Sequence, residues 1–155
     1  MKTTFYLRKV MLVTFLSFAW LALDACSNDD DDMPSSDIEV MVNGTVLFQD
    51  GDDFNGDVDG DFTGSGGTDS KTFVWNNNLN TADYNADITA SAEGTFRMVV
   101  RDADGMMVLD RSLNGASEPD SFSGVTAAGA SGLWSVTITL TSFNGDGSFS
   151  LSEGD

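Results

Sequence analysis

The residues best suited to chemistry in this 155-residue chain are the carboxylates of an acidic stretch, residues 50–61. Calcium prefers several carboxylate and carbonyl oxygens, and a glycine-rich backbone lets a loop close around the ion. The regular spacing of acidic and amide side chains therefore predicts a calcium site. Its five candidate ligands are Asp53, Asn55, Asp57, Asp59 and Asp61.

The acidic stretch does not follow the full pattern of an EF-hand loop. Asp57, Asp59 and Asp61 have the spacing of its first three ligands. However, Phe62 stands where that loop needs glycine, and Thr68 stands where it needs a bidentate glutamate. A looser calcium loop is one interpretation, and a solvated, disordered acidic loop is the other.

Two aromatic residues are candidates for stacking on a sugar ring. Trp75 precedes three asparagines, whose amides suit a glycan, although a core position is the favoured interpretation for this residue. Tyr84 lies in a polar segment, and we expect it to be exposed. Trp134 alternates in phase with Val136 and Ile138, so it is predicted to lie in the core.

The composition argues against an enzyme. The chain has no histidine and a single cysteine. Catalytic triads and most zinc sites depend on these two residue types. A pair of carboxylates could still hydrolyse a glycoside, but the chain has so many acids that no particular pair stands out.

Residues 1–25 have the layout of a secretory signal. Lys2, Arg8 and Lys9 give a positive start, and an apolar run follows from Val10 to Leu23. That run is shorter than the roughly 20 residues that a spanning helix needs. An uncleaved membrane helix is the alternative interpretation.

Cys26 follows Leu23-Asp24-Ala25, at the point where the signal ends. This arrangement resembles a bacterial lipoprotein signal, in which a peptidase cuts before a cysteine that carries lipid. The resemblance implies that Cys26 is lipidated and holds the protein on a membrane. The alternative is an ordinary cleaved signal followed by a free cysteine.

The predicted tether comprises residues 26–36 and contains the consecutive acids Asp29 to Asp32. These side chains repel one another and cannot be buried, so the segment is predicted to be disordered. An acidic run directly after a lipidated cysteine also resembles the surface-export signals of some Gram-negative lipoproteins. It implies an outer-membrane or cell-surface location, and a simple spacer is the alternative.

The charge of the mature chain restricts its partners. Removal of residues 1–25 leaves 130 residues with 4 basic and 24 acidic side chains, a net charge of −20. Such a polyanion is repelled by nucleic acids and by anionic membrane surfaces. Cations, basic proteins and neutral glycans remain as partners.

Residues 37–155 are predicted to form one all-β domain, a single antiparallel β-sandwich of about eight strands. Strict alternation predicts a strand over 133–143, a turn over 144–147 and a returning strand over 148–152. Two further hairpins are expected around Asn43-Gly44 and around residues 102–105. The remaining candidate strands are 71–75, 86–91 and 122–126.

Residues 94–105 and 132–138 resemble parts of jelly-roll-like β-sandwich modules of secreted bacterial proteins. In those modules a strand ends in an Asp-x-x-Gly turn, and a later strand opens with glycine, an apolar residue and tryptophan. The resemblance implies a jelly-roll or immunoglobulin-like sandwich with a non-catalytic, accessory role.

Taken together, these features predict an exported, lipid-anchored surface protein that is a non-enzymatic binding or accessory module. It would act within a surface protein assembly, with calcium as a stabilising ion. The alternative is a carbohydrate-binding surface lipoprotein that uses Trp75 or Tyr84.

Overall fold

Alternation of apolar and polar residues produces an all-β domain with nine strands among residues 38–154, the part of the chain that the computed structural model describes. The predicted all-β sandwich is confirmed. The strands are β1 (Ile38–Val42), β2 (Thr45–Val46), β3 (Asp52–Asn55), β4 (Val58–Asn77), β5 (Ala82–Ala90), β6 (Thr95–Arg101), β7 (Met107–Asn114), β8 (Ser121–Val125) and β9 (Gly132–Glu153).

Two long strands, β4 and β9, run through both layers of the sandwich. They pair with each other antiparallel along almost their whole length. Near the middle, β4 has register shifts between Ser65 and Asp69. Opposite these shifts, β9 bends at Ser142, which has a φ of 47°. An irregularity of this kind turns a strand and reverses its in-and-out alternation, so one hydrogen-bonded sheet folds over into two layers.

The first halves and second halves of these strands belong to different layers. Layer A has the order β2-β1-β4-β9-β5-β8 and uses residues 58–65 and 144–153 of the long strands. Layer B contains β3, residues 69–77 of β4, residues 132–143 of β9, β6 and β7. All pairs are antiparallel except β3 with β4, which is parallel.

The two ends of the sandwich differ in construction. At the bend end, both long strands pass from one layer to the other. The first residue of β1, Ile38, pairs with Gly64 at this end. The loop end carries the connections 78–81, 102–106 and 126–131 between strands.

Aromatic side chains join the two layers in the core. The Phe62 ring of layer A stacks on the Phe96 ring of layer B, with centroids 4.7 Å apart. Phe73 of layer B stacks in the same way on Phe149 of layer A, at 6.2 Å. Such pairs stabilise by roughly 0.5–1.5 kcal/mol beyond the burial of their area.

Trp134 is fully buried, as predicted from its alternation. Its ring meets that of Trp75 edge to face at 6.0 Å, and its indole N–H donates to the Ala130 carbonyl at 2.7 Å. The Trp75 N–H donates to the Gly56 carbonyl, also at 2.7 Å. A buried tryptophan needs such a partner for its polar atom.

The predicted hairpin over 133–152 is wrong. Residues 144–147 do not turn the chain back, because β9 continues through them from layer B into layer A. Their glycines serve close packing: a Cβ on Gly147 would lie 2.5 Å from the Asp87 carbonyl oxygen. A sequence rich in asparagine, aspartate and glycine predicts a turn, but here the same glycines admit neighbouring atoms.

The other two predicted hairpins are confirmed. Asn43 and Gly44 have φ angles of 48° and 75° and join β1 to β2, which has only two residues. Residues 102–106 join β6 to β7, with Gly105 at a φ of 79°. The predicted signal, residues 1–25, and the predicted tether, residues 26–36, lie outside the described residues.

Within residues 38–154 no helix has the length and apolar character needed to span a bilayer.

Candidate functional site

The acidic stretch is not a loop, because most of it lies in strands. Asp53 and Asn55 belong to β3, at the edge of layer B. Asp59 and Asp61 belong to β4 in layer A, and Asp57 directly precedes that strand. The interpretation as a disordered acidic loop is therefore wrong.

The structure divides the five predicted calcium ligands between the two layers. Asp59 and Asp61 alternate with the buried residues Val58, Gly60 and Phe62, so both carboxylates point outward from layer A. In the described part of the chain, no three acidic, histidine or cysteine side chains group closely enough to hold a metal ion.

The outer surface of layer A is a mainly polar face, which we call the acidic face. It is formed by outward residues of five neighbouring strands, β1, β4, β9, β5 and β8. Its carboxylates belong to Glu39, Asp59, Asp61, Asp83, Asp87 and Asp146, all exposed. Every lysine and arginine of residues 38–154 lies outside this face, on the layer B part of β4, on β6 or on β7.

Carboxylates and hydroxyls alternate across the strands of the acidic face. Ser148 of β9 pairs with Asp61 on one side and with Asp87 on the other. The Ser148 hydroxyl donates to Asp87 at 2.6 Å, the short distance expected of a hydrogen bond to a charged acceptor. In the next row, Ser150 lies between Asp59 and Asn85.

The distances between side chains on the acidic face follow from the regular geometry of a β-sheet. Outward residues lie about 7 Å apart along a strand, and neighbouring strands lie about 5 Å apart. Carboxylates on β4 and β5 are separated by the intervening β9, so they are roughly 10 Å apart. The face therefore offers a lattice of separate hydrogen-bond acceptors and not a single ion cage.

A shallow hollow of about 380 Å³ opens on the acidic face near the loop end. The strands β5, β8 and β9 form its floor, so its polar groups stand on regular backbone and not on a loop. Such groups keep a more precise geometry than groups on loops. The hollow is lined by Asp83, Tyr84, Asn85, Ser123, Gly124, Val125, Ser150 and Ser152.

The expected exposure of Tyr84 is wrong. Tyr84 lies on β5 and is only 9% exposed, with its ring against Phe122 at 5.9 Å. Trp75 is 0% exposed. Neither ring therefore presents a face on which a sugar could stack, although Tyr84 borders the hollow.

The polar residues of β5 are the part of this face that the prediction missed. Ala82, Tyr84, Ala86 and Ile88 alternate inward, while their neighbours alternate outward. The predicted strand began only at residue 86, because the acidic and amide residues before it resembled a loop. The alternation of apolar and polar residues from residue 82 onward is the signal for this strand. It identifies Tyr84 as a core residue, and Asp83 and Asn85 as surface residues.

Two further grooves lie at the bend end, on either side of the connection 114–118. They have volumes of about 280 and 460 Å³. Both are lined largely by loop residues, including Asn114, Ser117 and, in the smaller groove, Glu118. Their polar groups are therefore held less rigidly than those of the acidic face.

The charges of the hairpin β6–β7 form structural contacts. Arg97 binds Asp110 through two hydrogen bonds of 2.8 and 2.7 Å. This contact lowers the pKa of Asp110 and raises that of Arg97. Because both side chains are partly exposed to solvent, the pair stabilises the fold only modestly.

Asp102 organises the loop end. Its carboxylate accepts the backbone N–H groups of Ala130 at 2.8 Å, Met106 at 2.7 Å and Asp104 at 3.1 Å. These donors, that of Ala130 above all, lower the pKa of Asp102, although its burial opposes them. One side chain thus closes the β6–β7 turn and ties it to the loop before β9.

The lowered pKa of Asp102 predicts a loss of stability in acid. A carboxyl group with a lower pKa in the folded state stabilises fully above its unfolded pKa of about 3.9, and this contribution is lost as the pH falls through the folded value. We expect Asp102→Asn to lower stability near neutral pH and to reduce the loss of stability between about pH 5 and pH 2. Urea unfolding from neutral pH down to pH 2 measures both the stability near neutral pH and its loss in acid. Ser112→Ala is a control on the same hairpin. Parallel pH curves for wild type and Asp102→Asn would contradict the assignment.

Comparisons with known proteins found only distant structural similarities. No family model matches the sequence, and no curated protein matches it. The chain is similar to the N-terminal cellulose-binding domain of a β-1,4-glucanase C from Cellulomonas fimi, with 20% identity, coverage of 81% of this chain and 93% of that chain, and a TM-score of 0.37.

Two other solved structures show the same level of similarity. TmCBM61, solved with β-1,4-galactotriose, has 11% identity, 64% and 66% coverage and a TM-score of 0.33. The pre-peptidase C-terminal domain of a collagenase from Bacillus anthracis has 16% identity, 67% and 94% coverage and a TM-score of 0.37. These similarities are too distant to assign a ligand or a partner to this chain.

Proposed function

We propose that this protein is a non-enzymatic, lipid-anchored surface module that binds a neutral glycan on its acidic face. The observation that carries the proposal is the hollow beside Asp83 and Asn85, together with the rows of alternating hydroxyl and carboxylate groups around it. The glycan thus meets polar groups on the sheet, and not the rings of Trp75 and Tyr84.

The chemistry of this face suits a polyhydroxylated ligand. A carboxylate accepts strong hydrogen bonds from hydroxyl groups, while serine and asparagine side chains both donate and accept. Sugar hydroxyls offer both functions at short intervals. The exposed Val125 beside the hollow adds an apolar contact for a carbon face of a sugar.

The electrostatic field of the acidic face selects against anionic glycans. The acidic face carries six carboxylates and no lysine or arginine within residues 38–154. Uronic acids, sulfated sugars and nucleic acids are therefore repelled. A neutral oligosaccharide avoids this cost.

Two features support binding without catalysis. The chain has no histidine, and its single cysteine is the predicted lipid attachment site.

The proposed glycan site predicts a specific loss of binding. We expect the variant Asp83→Ala/Asn85→Ala to bind a neutral oligosaccharide at least tenfold more weakly, because it removes the carboxylate and the amide that line the hollow. Isothermal titration calorimetry of residues 27–155 with soluble β-1,4-linked glucose, xylose and galactose oligomers measures this. Thr139→Ala, on the outer face of layer B, is the matched control.

Charged oligomers complete the test. Oligogalacturonate should bind more weakly than neutral oligogalactose, with the difference shrinking at high salt. If no neutral oligomer binds, or if the double variant binds as well as wild type, the acidic face is not a glycan site.

The lipid anchor is a second part of the proposal. Each buried CH₂ contributes about 0.8 kcal/mol to membrane attachment, so two or three acyl chains on Cys26 would hold the protein almost permanently. We expect Cys26→Ala to abolish lipid labelling and to release the full chain from the membrane fraction. Asn28→Ala is a control two residues away. Unchanged lipid labelling or membrane retention of Cys26→Ala would contradict the anchor.

Calcium binding stays a prediction. The carboxylates Asp57, Asp59 and Asp61 remain together along one strand and its entry, whereas Asp53 and Asn55 lie in the other layer. We propose that calcium associates with the acidic face as a whole and reduces the mutual repulsion of its carboxylates.

A further inference from the structure

We propose that the outer face of layer B, at its loop end, is a docking surface for a partner protein that presents an apolar side chain beside a carboxylate. The docking surface consists of Arg101, Met106, Met107 and Leu133. It lies on the layer opposite to the acidic face and is independent of the proposed glycan site.

Three of its four side chains are large, apolar and unusually exposed. Leu133 is 63% exposed, Met106 is 67% exposed and Met107 is 52% exposed. Isolated exposed apolar residues are ordinary, but a group of them at one place on a soluble domain marks an interaction site.

The sheet register brings these residues together. Arg101 on β6 pairs with Met107 on β7 and with Ser135 on β9. Leu133 lies two residues before Ser135 and on the same face, so it is a diagonal neighbour of Arg101 at about 7–8 Å. Met106 directly precedes Met107 in the β6–β7 connection.

Arg101 gives this surface its preference for a carboxylate. Among the four basic residues of the described chain, Lys71 and Arg97 form salt bridges with Asp69 and Asp110. Arg111 lies over the Phe122 ring at 5.2 Å. Arg101 makes no salt bridge within residues 38–154, and its guanidinium donates to the Gly105 carbonyl at 3.1 Å.

The composition of the surface favours a protein over other ligands. Methionine and arginine are enriched at protein interfaces, whereas lysine, glutamate and aspartate are depleted. The rows of layer B that contain Leu133 and Arg101 carry Asn76, Ser135 and Val74. They end on the edge strand β3 with Asn55 and the carboxylate of Asp53, and a second carboxylate lies at Asp104 in the turn. The site is thus a mainly apolar surface with a cation, on a strongly acidic protein.

A second copy of the chain is a poor occupant of this surface. A two-fold dimer would bring the two Arg101 side chains towards each other. It would also join two domains that each hold 18 acidic and 4 basic residues within 38–154. A different protein with a carboxylate next to an apolar side chain complements both features.

The docking surface lies at the opposite end of the sandwich from the first residue of β1. The chain enters the sandwich at the bend end, where Ile38 pairs with Gly64. The docking surface is at the other end of layer B, next to the start of β9 and the end of β6.

Site-specific photo-crosslinking tests the proposal in cells that naturally make the protein. The full chain carries p-benzoylphenylalanine in place of Leu133, or in place of Thr139 on the same face as the matched control. We expect a protein crosslink at position 133 that is absent at position 139, identified by mass spectrometry.

Direct binding of the purified crosslinked partner then decides the role of each residue. Leu133→Ser and Arg101→Glu should each weaken binding at least tenfold, while Thr139→Ser should not. Changing the partner's carboxylate to arginine should restore the binding of Arg101→Glu. Because Leu133 is exposed, Leu133→Ser keeps the test valid even if Arg101→Glu folds poorly.

Three results would overturn the proposal. They are the absence of any crosslink specific to position 133, a crosslink only to a second copy of this chain, and unchanged affinity of Leu133→Ser for the purified partner. Glycan titration of the same variants separates this site from the acidic face. If the glycan proposal holds, Leu133→Ser should bind neutral oligosaccharides as tightly as wild type does.

Discussion

Trp134→Ala is expected to lower the free energy of unfolding by about 3–5 kcal/mol, the cost of deleting a large core side chain. Trp134 is fully buried, its ring contacts that of Trp75 edge to face, and its indole N–H donates a hydrogen bond to the Ala130 carbonyl. The substitution removes the buried ring and both of these contacts at once. Because a domain of this size is stable by only about 5–15 kcal/mol, the variant should be close to unfolding.

Urea unfolding followed by circular dichroism measures the loss. Leu133→Ala is the matched control, because Leu133 is the adjacent residue on the opposite, exposed face of β9. It should change stability by less than about 0.5 kcal/mol. An equally small effect for Trp134→Ala would contradict the inward phase of the whole first half of β9.

Gly147→Ala is expected to destabilise the domain by about 1–3 kcal/mol or more, as overpacking does. A Cβ at this position would lie 2.5 Å from the Asp87 carbonyl oxygen and within 2.8 Å of a Phe62 ring carbon. The carbonyl belongs to the backbone of β5, so it cannot move aside as a flexible side chain can. Both β5 and the stacked Phe62–Phe96 pair would have to shift.

This substitution distinguishes the continuous strand from the turn that the sequence suggests. In an exposed turn, a methyl group at position 147 would meet solvent and cost little. Ser150→Ala is the control, because Ser150 lies three residues along the same strand and points towards the outer face. Urea unfolding of both variants suffices, and a Gly147→Ala protein as stable as wild type would favour the turn.

Several elements of the fold were predictable because their signals are local. The alternation of Trp134, Val136 and Ile138 identified the part of β9 that lies in layer B and its inward face. The turns at Asn43-Gly44 and at residues 102–105 were predictable because their residues tolerate positive φ angles. Composition alone determined the polyanionic character of the chain and the shortage of catalytic side chains.

The two long strands were not predictable, because glycine has the same local signature in a turn and in a crowded strand. Residues 64–67 and 144–147 are rich in glycine and polar residues. Whether such a segment reverses the chain or lets it bend between layers depends on what packs against it. That partner, Asp87 and Phe62 in the case of Gly147, is distant in sequence.

The acidic face and the docking surface depend on the tertiary structure for the same reason. The sequence determined that aspartates alternate with apolar residues around Phe62 and around Tyr84, and therefore that each strand has one polar side. Only the pairing of β4, β9 and β5 decided that these polar sides meet on one surface without a cation, while Arg97 and Arg101 lie on the other layer. Alternation is a property of neighbouring residues, whereas the position of a strand in a sheet is set by hydrogen bonds and core contacts between segments far apart in the chain.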